Sequence, residues 1–383
     1  MSKTIHIKTN ADVLRWAREA MAINKARAIE LLEITSHRLE QLESGEKQPT
    51  VDELKIMSKV YKRTIATLLL NKPPKEKPLP KDCRTIDSSK LDTFHEKTIL
   101  AVRKARALTQ TLLELRSEMN VPTPEFKLKA SLTDKPEEVA SYFRKFLNID
   151  EIHSIENGNL FLDGCIEKLE EQGVAVFQLS LTQDGLRGFS LVDESVPVVV
   201  VKRGGETPAS KVFTLFHEFG HILLNEGGLC DINFNAREID LEKWCNAFAA
   251  ELLVPASLFL KQDLVLQYEQ QGVKEWRLKD LVELANRFHV GPLVTLRRLL
   301  TFNKTTPQFY NAKHEQWNKP SFGRSKTPEG RNIAKETIKE KGRRYISLVF
   351  KAYDTNRIDL KDMADYLGVK LSYIPKTRQL LNT

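Results

Sequence analysis

Cysteine is scarce in this 383-residue chain: Cys83, Cys165, Cys230 and Cys245 are the only four, and they are widely scattered. No C-x-x-C pair occurs, so neither a disulfide framework nor a thiolate metal cluster is expected, and small buried thiols are the simpler reading. Long apolar runs are also missing; none approaches the ~20 residues that span a bilayer. The opening residues Met1-Ser2-Lys3-Thr4-Ile5-His6 lack the apolar core of a signal peptide. A cytoplasmic protein with no membrane partner is therefore expected. Acidic residues are in the minority, 51 against 59 basic ones, for a net charge of +8. That balance favours an acidic partner, nucleic acid first, although an excess of this size also serves solubility and does not decide alone. With 41% hydrophobic residues, the chain has enough apolar material for two or three domain cores.

The most specific pattern is His217-Glu218-Phe219-Gly220-His221, an H-E-x-x-H inside the apolar run Phe213–His221. On a helix, positions four apart lie about 40° apart around the axis and about 6 Å along it. His217 and His221 then leave from one face and can grip a single ion. Glu218 projects beside them, placed to take a proton from an attacking water. With eight histidines in the chain, a chance match arises about one time in a hundred, so the context must carry part of the argument. The competing reading is a buried helix whose histidines only form hydrogen bonds.

A catalytic zinc needs a third protein ligand and an open position. A third histidine six residues after His221 is excluded, because that position is Gly227. Downstream, residues 241–254 read as a helix stopped by Pro255. Glu242, Cys245, Asn246 and Ala249 share one of its faces at spacings of three and four. Glu242 is the preferred third ligand, with Glu238, Asp240 and Glu251 as rivals; Glu251 lies nine residues on, toward another side of the helix.

The run Phe-Thr-Leu-x-His-Glu-x-Gly-His at 213–221, followed by Glu-x-x-Cys-Asn-x-Phe-Ala-Ala-x-Leu-Leu-x-Pro at 242–255, resembles the ImmA/IrrE metallo-endopeptidases. Gly173–Phe177, Leu186–Ser190 and Pro197–Val201 are similar to the strands that precede the zinc helix in that family. The resemblance implies a Zn2+ held by His217, His221 and Glu242, with Glu218 as general base. Lys211 stands where the family pattern has an arginine. Family members cut Xre-type repressors, so the resemblance also implies a transcriptional repressor as protein substrate, cut in trans or within this chain's own N-terminal module.

Residues 10–72 read as five short helices. Asn10 can cap the first, which buries Leu14, Ala17 and Met21. The second covers Lys25–Leu32, Glu33-Ile34-Thr35 turns the chain, and the third starts at Ser36 as N-cap and ends at Gly45. Thr50-Val51-Asp52-Glu53 is a capping box for the fourth, with Leu54, Met57 and Tyr61 inward, and the fifth covers Ile65–Leu70. Two short helices and a tight turn suit a helix-turn-helix. The motif Leu39-Glu40-Gln41-Leu42-Glu43-Ser44-Gly45-Glu46-Lys47-Gln48-Pro49-Thr50 resembles the Xre-type (Cro and phage-repressor-like) DNA-binding domain. By that resemblance His37, Arg38 and Gln41 would face bases, and Asn24, Lys25, Arg27 and Lys47 phosphates, with Ser36 in the same DNA-binding set. Glu40 and Glu43 would repel phosphate wherever they face it. A double-stranded operator, and a homodimer on paired half-sites, are the implied partners.

A proline- and lysine-rich linker occupies residues 71–80, a long charged helix Phe94–Met119, and further helices Glu137–Leu147 and Asn159–Gln172. Residues 276–300 form a second helix-turn-helix-like unit with Arg297 and Arg298 outside, 302–330 read as a loop, and Lys339–Tyr353 as one basic helix. The expected fold class is α+β, predominantly α. The expected domains are 1–72 (helix-turn-helix), 73–130 (linker and bracing helix), 131–260 (zincin-like metallopeptidase, a small sheet plus the H-E-x-x-H helix) and 261–383 (helical). The expected function is a DNA-binding regulator fused to a zinc endopeptidase. The alternative is a regulator, or a toxin–antitoxin or immunity component, whose zinc domain senses metal or a partner without cutting.

Overall fold

A computed structural model of the chain describes residues 5–77, 96–181, 186–192, 194–226, 236–317 and 332–381. It is mainly helical with one small sheet, in agreement with the α+β expectation. Contacts divide it into two compact units, Met1–Arg103 and Lys104–Thr383.

The first unit holds α1 (Ala11–Glu19), α2 (Lys25–Leu32), α3 (Ser36–Ser44), α4 (Val51–Val60) and α5 (Ile65–Leu68). Local capping sets these boundaries. Asn10 accepts from the Asp12 amide, Thr50 and Glu53 complete a reciprocal capping box, and Gly45 ends α3 with φ 81°. The cap of α3 is Thr35, not Ser36: the Thr35 side chain accepts from the Arg38 amide, and Ser36 is the first helical residue. Glu33 takes the left-handed conformation at the end of α2, φ 55°, a place where glycine costs less. The core collects Leu14, Ala17, Ala28, Leu32, Leu39, Leu42, Leu54, Met57, Tyr61 and Leu68. Through it runs a buried ion pair: Arg18 Nε donates to Glu43 Oε1 at 2.6 Å and Nη2 to Oε2 at 3.0 Å, each residue 5% exposed.

A long helix, α6 (Glu96–Glu118), leads into the second unit. There follow α7 (Pro136–Phe146), α8 (Ile149–Ile152), α9 (Gly158–Glu171), β1 (Ala175–Leu179), β2 (Gly188–Leu191), β3 (Val198–Lys202), α10 (Pro208–Leu223), α11 (Ala236–Leu253) and α12 (Ala256–Phe259). The rest is helical: α13 (Asp263–Gln270), α14 (Leu278–Arg287), α15 (Pro292–Thr301), α16 (Pro307–Trp317), α17 (Ile333–Lys341), α18 (Arg343–Asp354), α19 (Leu360–Leu367) and α20 (Ile374–Leu381). The sheet order is β1-β3-β2, with β1 parallel and β2 antiparallel to β3. All three strands are buried almost throughout, which suits their apolar runs.

α10 is the axis of this unit. It packs on β2, β3, α9 and α11, and α11 packs in turn on α7. Thr207 caps it by accepting from the Ser210 amide, and Pro208 opens it. Phe143, Phe219, Phe248 and Trp244 interlock between α7, α10 and α11, with Trp244 stacked on Phe248 at 5.4 Å. Two glycines set the close approaches. A Cβ at Gly220 would lie 3.2 Å from Cys245 Sγ, and one at Gly188 would lie 2.6 Å from Thr214 Cγ2 and 2.8 Å from the Val200 carbonyl oxygen.

One continuous core joins α7, α9, β1, β3, α10 and α11 to Leu281, Leu284, Phe288, Leu296 and Leu299. Some sequence expectations are corrected here. Arg298 is not outside but 3% exposed. Residues 307–317, expected to be loop, form α16 against α15. The basic segment 339–353 is two helices, because Gly342 at φ 82° breaks it. No helix among the described residues is long and apolar enough to cross a membrane.

Candidate metal centre

His217 and His221 stand one turn apart on α10, 7% and 3% exposed. Glu242 on α11 reaches across to both. Its Oε2 lies 3.1 Å from His217 Nε2 and its Oε1 3.1 Å from His221 Nε2, while the two Nε2 atoms are 3.2 Å apart. These three residues are the one His/Cys/Asp/Glu group among the described residues whose ligand atoms converge within 4.8 Å. A tetrahedral zinc at ~2.0–2.1 Å from each ligand atom keeps those atoms about 3.3 Å apart. The observed separations suit such an ion, and the donor set of two imidazoles and a carboxylate suits its chemistry.

The orientation of the donors has visible causes. His221 Nδ1 donates to the Glu226 carbonyl oxygen at 3.2 Å, which turns Nε2 toward Glu242. Burial opposes ionisation of Glu242, but hydrogen bonds and attraction from His217 and His221 prevail and hold its carboxyl well below the usual range. Glu218, 1% exposed, lies beside His217 with its Cγ facing β2; a Cβ at Gly188 would sit 3.3 Å from it.

The rival ligands are otherwise engaged. Glu251 pairs with Arg298 and accepts from the Ala256 amide at 3.0 Å, capping α12. Asp240 pairs with Lys243 at the exposed surface, 3.3 Å. The Glu238 side chain, Cys83 and Cys230 lie outside the described residues. Cys165 and Cys245 are buried free thiols. Burial, with the charges of Glu242 and Glu218, pushes the Cys245 thiol well up, so it packs against Gly220 as a protonated group. Lys211 is 9% exposed and donates to Gln178 Oε1 at 2.9 Å and the Arg203 carbonyl at 2.6 Å, which ties α10 to β1 and the end of β3.

Several parts of the site leave no mark in a motif. Gly188 opens room for β2 against α10, Glu226 orients His221 through its backbone, and a cleft of about 520 Å³ lies between α10, α11 and α15. Phe213 and Asn246, which line it, lie one turn from His217 and Glu242 respectively. The small residue against which Gly188 is set, Thr214, was readable only as part of the helix.

In the first unit, the residues of the expected DNA face divide into two groups. Asn24, Lys25, Arg27, Ser36, His37 and Lys47 are exposed. Asn24 also caps α2 through the Arg27 amide, and Arg27 pairs with Glu30. Arg38, by contrast, is held by Glu53 at 2.7 and 2.8 Å and by the Gln48 carbonyl at 3.1 Å. Gln41 is 5% exposed and bonded to His37 and Glu46. Glu43 is neutralised by Arg18, which leaves Glu40 as the exposed acid of that pair on α3.

A buried helix offering two imidazoles, a carboxylate from the next helix and an adjacent glutamate defines a candidate metallohydrolase centre. Residues 169–300 match the Peptidase_M78 family, described as an IrrE N-terminal-like domain, and this supports a metallopeptidase of the ImmA/IrrE type. The matched stretch contains His217, Glu218, His221, Glu242 and the α14–α15 pair. No curated protein matches the chain.

Proposed function

We propose that the chain is a zinc-dependent endopeptidase fused to an N-terminal Xre-type DNA-binding module, and that it cuts an Xre-type repressor, in trans or within its own first 72 residues. The observation that carries the enzymatic half is the convergence of His217, His221 and Glu242 with Glu218 next to the first of them. His217, His221 and Glu242 would hold a zinc ion, which when bound would supply the Lewis-acid chemistry that acidifies water and polarises a peptide carbonyl. Glu218 takes the proton of the attacking water on a carboxylate oxygen and returns it to the departing amine nitrogen. The buried walls of α10 and α11 exclude bulk water from this transfer. β2, an edge strand of the sheet among the described residues and packed on α10, would align the substrate backbone as an added strand.

The DNA half rests on α2, the tight turn through Glu33 and α3, together with the motif at 39–50. The exposed set Asn24, Lys25, Arg27, Ser36, His37 and Lys47 supplies the contacts, while Arg38 must leave Glu53 before it can read a base. Cutting the repressor would relieve repression of mobile-element or stress genes, and a cytoplasmic dimer on paired half-sites completes the reading.

Two measurements test the halves separately. Glu242→Ala should lower zinc content sharply, and full occupancy in that variant would remove the ligand assignment. Duplex DNA binding should weaken steeply with salt and vanish on deletion of residues 1–72. Binding that survives the deletion would place the DNA contact elsewhere in the chain.

A further inference from the structure

The cleft beside the metal centre is lined by basic side chains that the proteolytic chemistry does not use. Its charged lining is Glu137, Arg187, Lys243, Arg297 and Arg298. Most of these have carboxylate partners. Arg298 is buried against Glu251 and the Val254 carbonyl, Arg187 stands 3.9 Å from Glu206, and Lys243 pairs with Asp240 at 3.3 Å. Arg297 differs. It is exposed to the cleft, its guanidinium lies over the Tyr310 ring at 5.3 Å, and no carboxylate among the described residues pairs with it.

The position of this cation matters as much as its charge. One turn of helix, about 5.4 Å, separates Phe213 from His217 and Asn246 from Glu242. The cleft therefore begins where a peptide held at the metal centre would leave it. The guanidinium is a rigid planar fork that can bind a carboxylate in two-pronged fashion, and the Tyr310 ring beside it gives it an apolar support.

We infer that Arg297, beside Tyr310, selects peptide substrates carrying an aspartate or glutamate at one fixed position near the cut bond. This rests on the proteolytic reading above and adds the substrate class to it.

The test uses the full-length, zinc-loaded protein, a tryptic peptide library and mass-spectrometric mapping of the cut sites. Wild type should show Asp and Glu enriched at one fixed position near the cut. A matched peptide pair differing by Glu→Gln at that position should show a preference of about tenfold in kcat/KM for the acid. Arg297→Ala should abolish that preference, Arg297→Lys should keep part of it, and Arg297→Glu should invert it toward basic residues, each at unchanged zinc content. Cutting without acidic enrichment in wild type, or the same preference in all four proteins, overturns the inference and leaves the protease standing. A wild type that cuts no peptide overturns the proteolytic reading, and the inference with it.

Discussion

Replacing Gly188 by alanine is a small change that should damage both stability and chemistry. The new Cβ would lie 2.6 Å from Thr214 Cγ2, 2.8 Å from the Val200 carbonyl oxygen and 3.3 Å from Glu218 Cγ. Ordinary carbon–carbon contact begins near 3.5 Å, so β2 and α10 must separate by about 1 Å. Neither neighbour yields easily. Thr214 is fixed by its hydroxyl, which donates to the Ser210 carbonyl at 3.0 Å, and Val200 belongs to β3, whose ladder with β2 pairs Gly188 with Val201. Overpacking of this kind costs about 1–3 kcal/mol. A shift of that size at Glu218 should lower kcat by roughly 100-fold. The metal ligands stand on α10 and α11, so zinc content should hold. Urea unfolding, metal analysis and cleavage kinetics on Gly188→Ala read all three. Adding Thr214→Ser removes the nearest methyl and should restore part of the loss, the Val200 contact remaining. A Gly188→Ala protein with wild-type stability and kcat would refute the argument that this contact positions Glu218.

Glu43→Gln should destabilise the first unit by about 3 kcal/mol, because Arg18 loses its buried charge partner and keeps only the exposed Glu19, while the double change Arg18→Met, Glu43→Leu should cost much less. Hydrogen exchange of α1 and α3 amides reads this, and equal losses in the single and double variants would contradict it. Burial, aided by Arg144 and His289, depresses the His153 pKa to about 4 from the usual 6.5. The unfolded chain then takes up this proton first, so stability is fully present above about pH 6.5 and is lost as the pH falls toward 4, by at most roughly 3 kcal/mol. The His289 pKa is shifted the same way, mainly by burial. Urea midpoints of His153→Phe should depend less on pH than those of wild type across that window; identical slopes would exclude His153 as the cause.

What could be read from the residues was local or periodic. Asn10, Gly45 and the Thr50–Glu53 box announce their helix ends because each cap is satisfied by backbone a few residues away. The three strands were placed to within about two residues by their similarity to the strands of the ImmA/IrrE pattern. His217 and His221 follow from helical spacing, and Glu242 was preferred over Glu251 from its helix face and from resemblance; in the structure Arg298 pairs with Glu251 while Glu242 faces the histidines. The same contact explains why Arg298 was misplaced. Adjacent arginines on an amphipathic helix look alike in sequence, and only the pairing of Arg298 with Glu251 and the Val254 carbonyl separates the buried one from Arg297. α16 was missed because its polar composition carries no apolar stripe, and none of its residues is fully buried. Gly342 was absorbed into a basic run because its left-handed backbone leaves no trace in periodicity.

The most direct test compares new protein N-termini in cells expressing the wild type and the Glu218→Gln variant, with zinc measured in both purified proteins. The account predicts equal zinc in the two and a new terminus, on an Xre-type repressor or at the chain's own N-terminal module, that appears with wild type alone. The same new terminus in the Glu218→Gln cells, or none in wild-type cells under resting and stressed conditions alike, would contradict it.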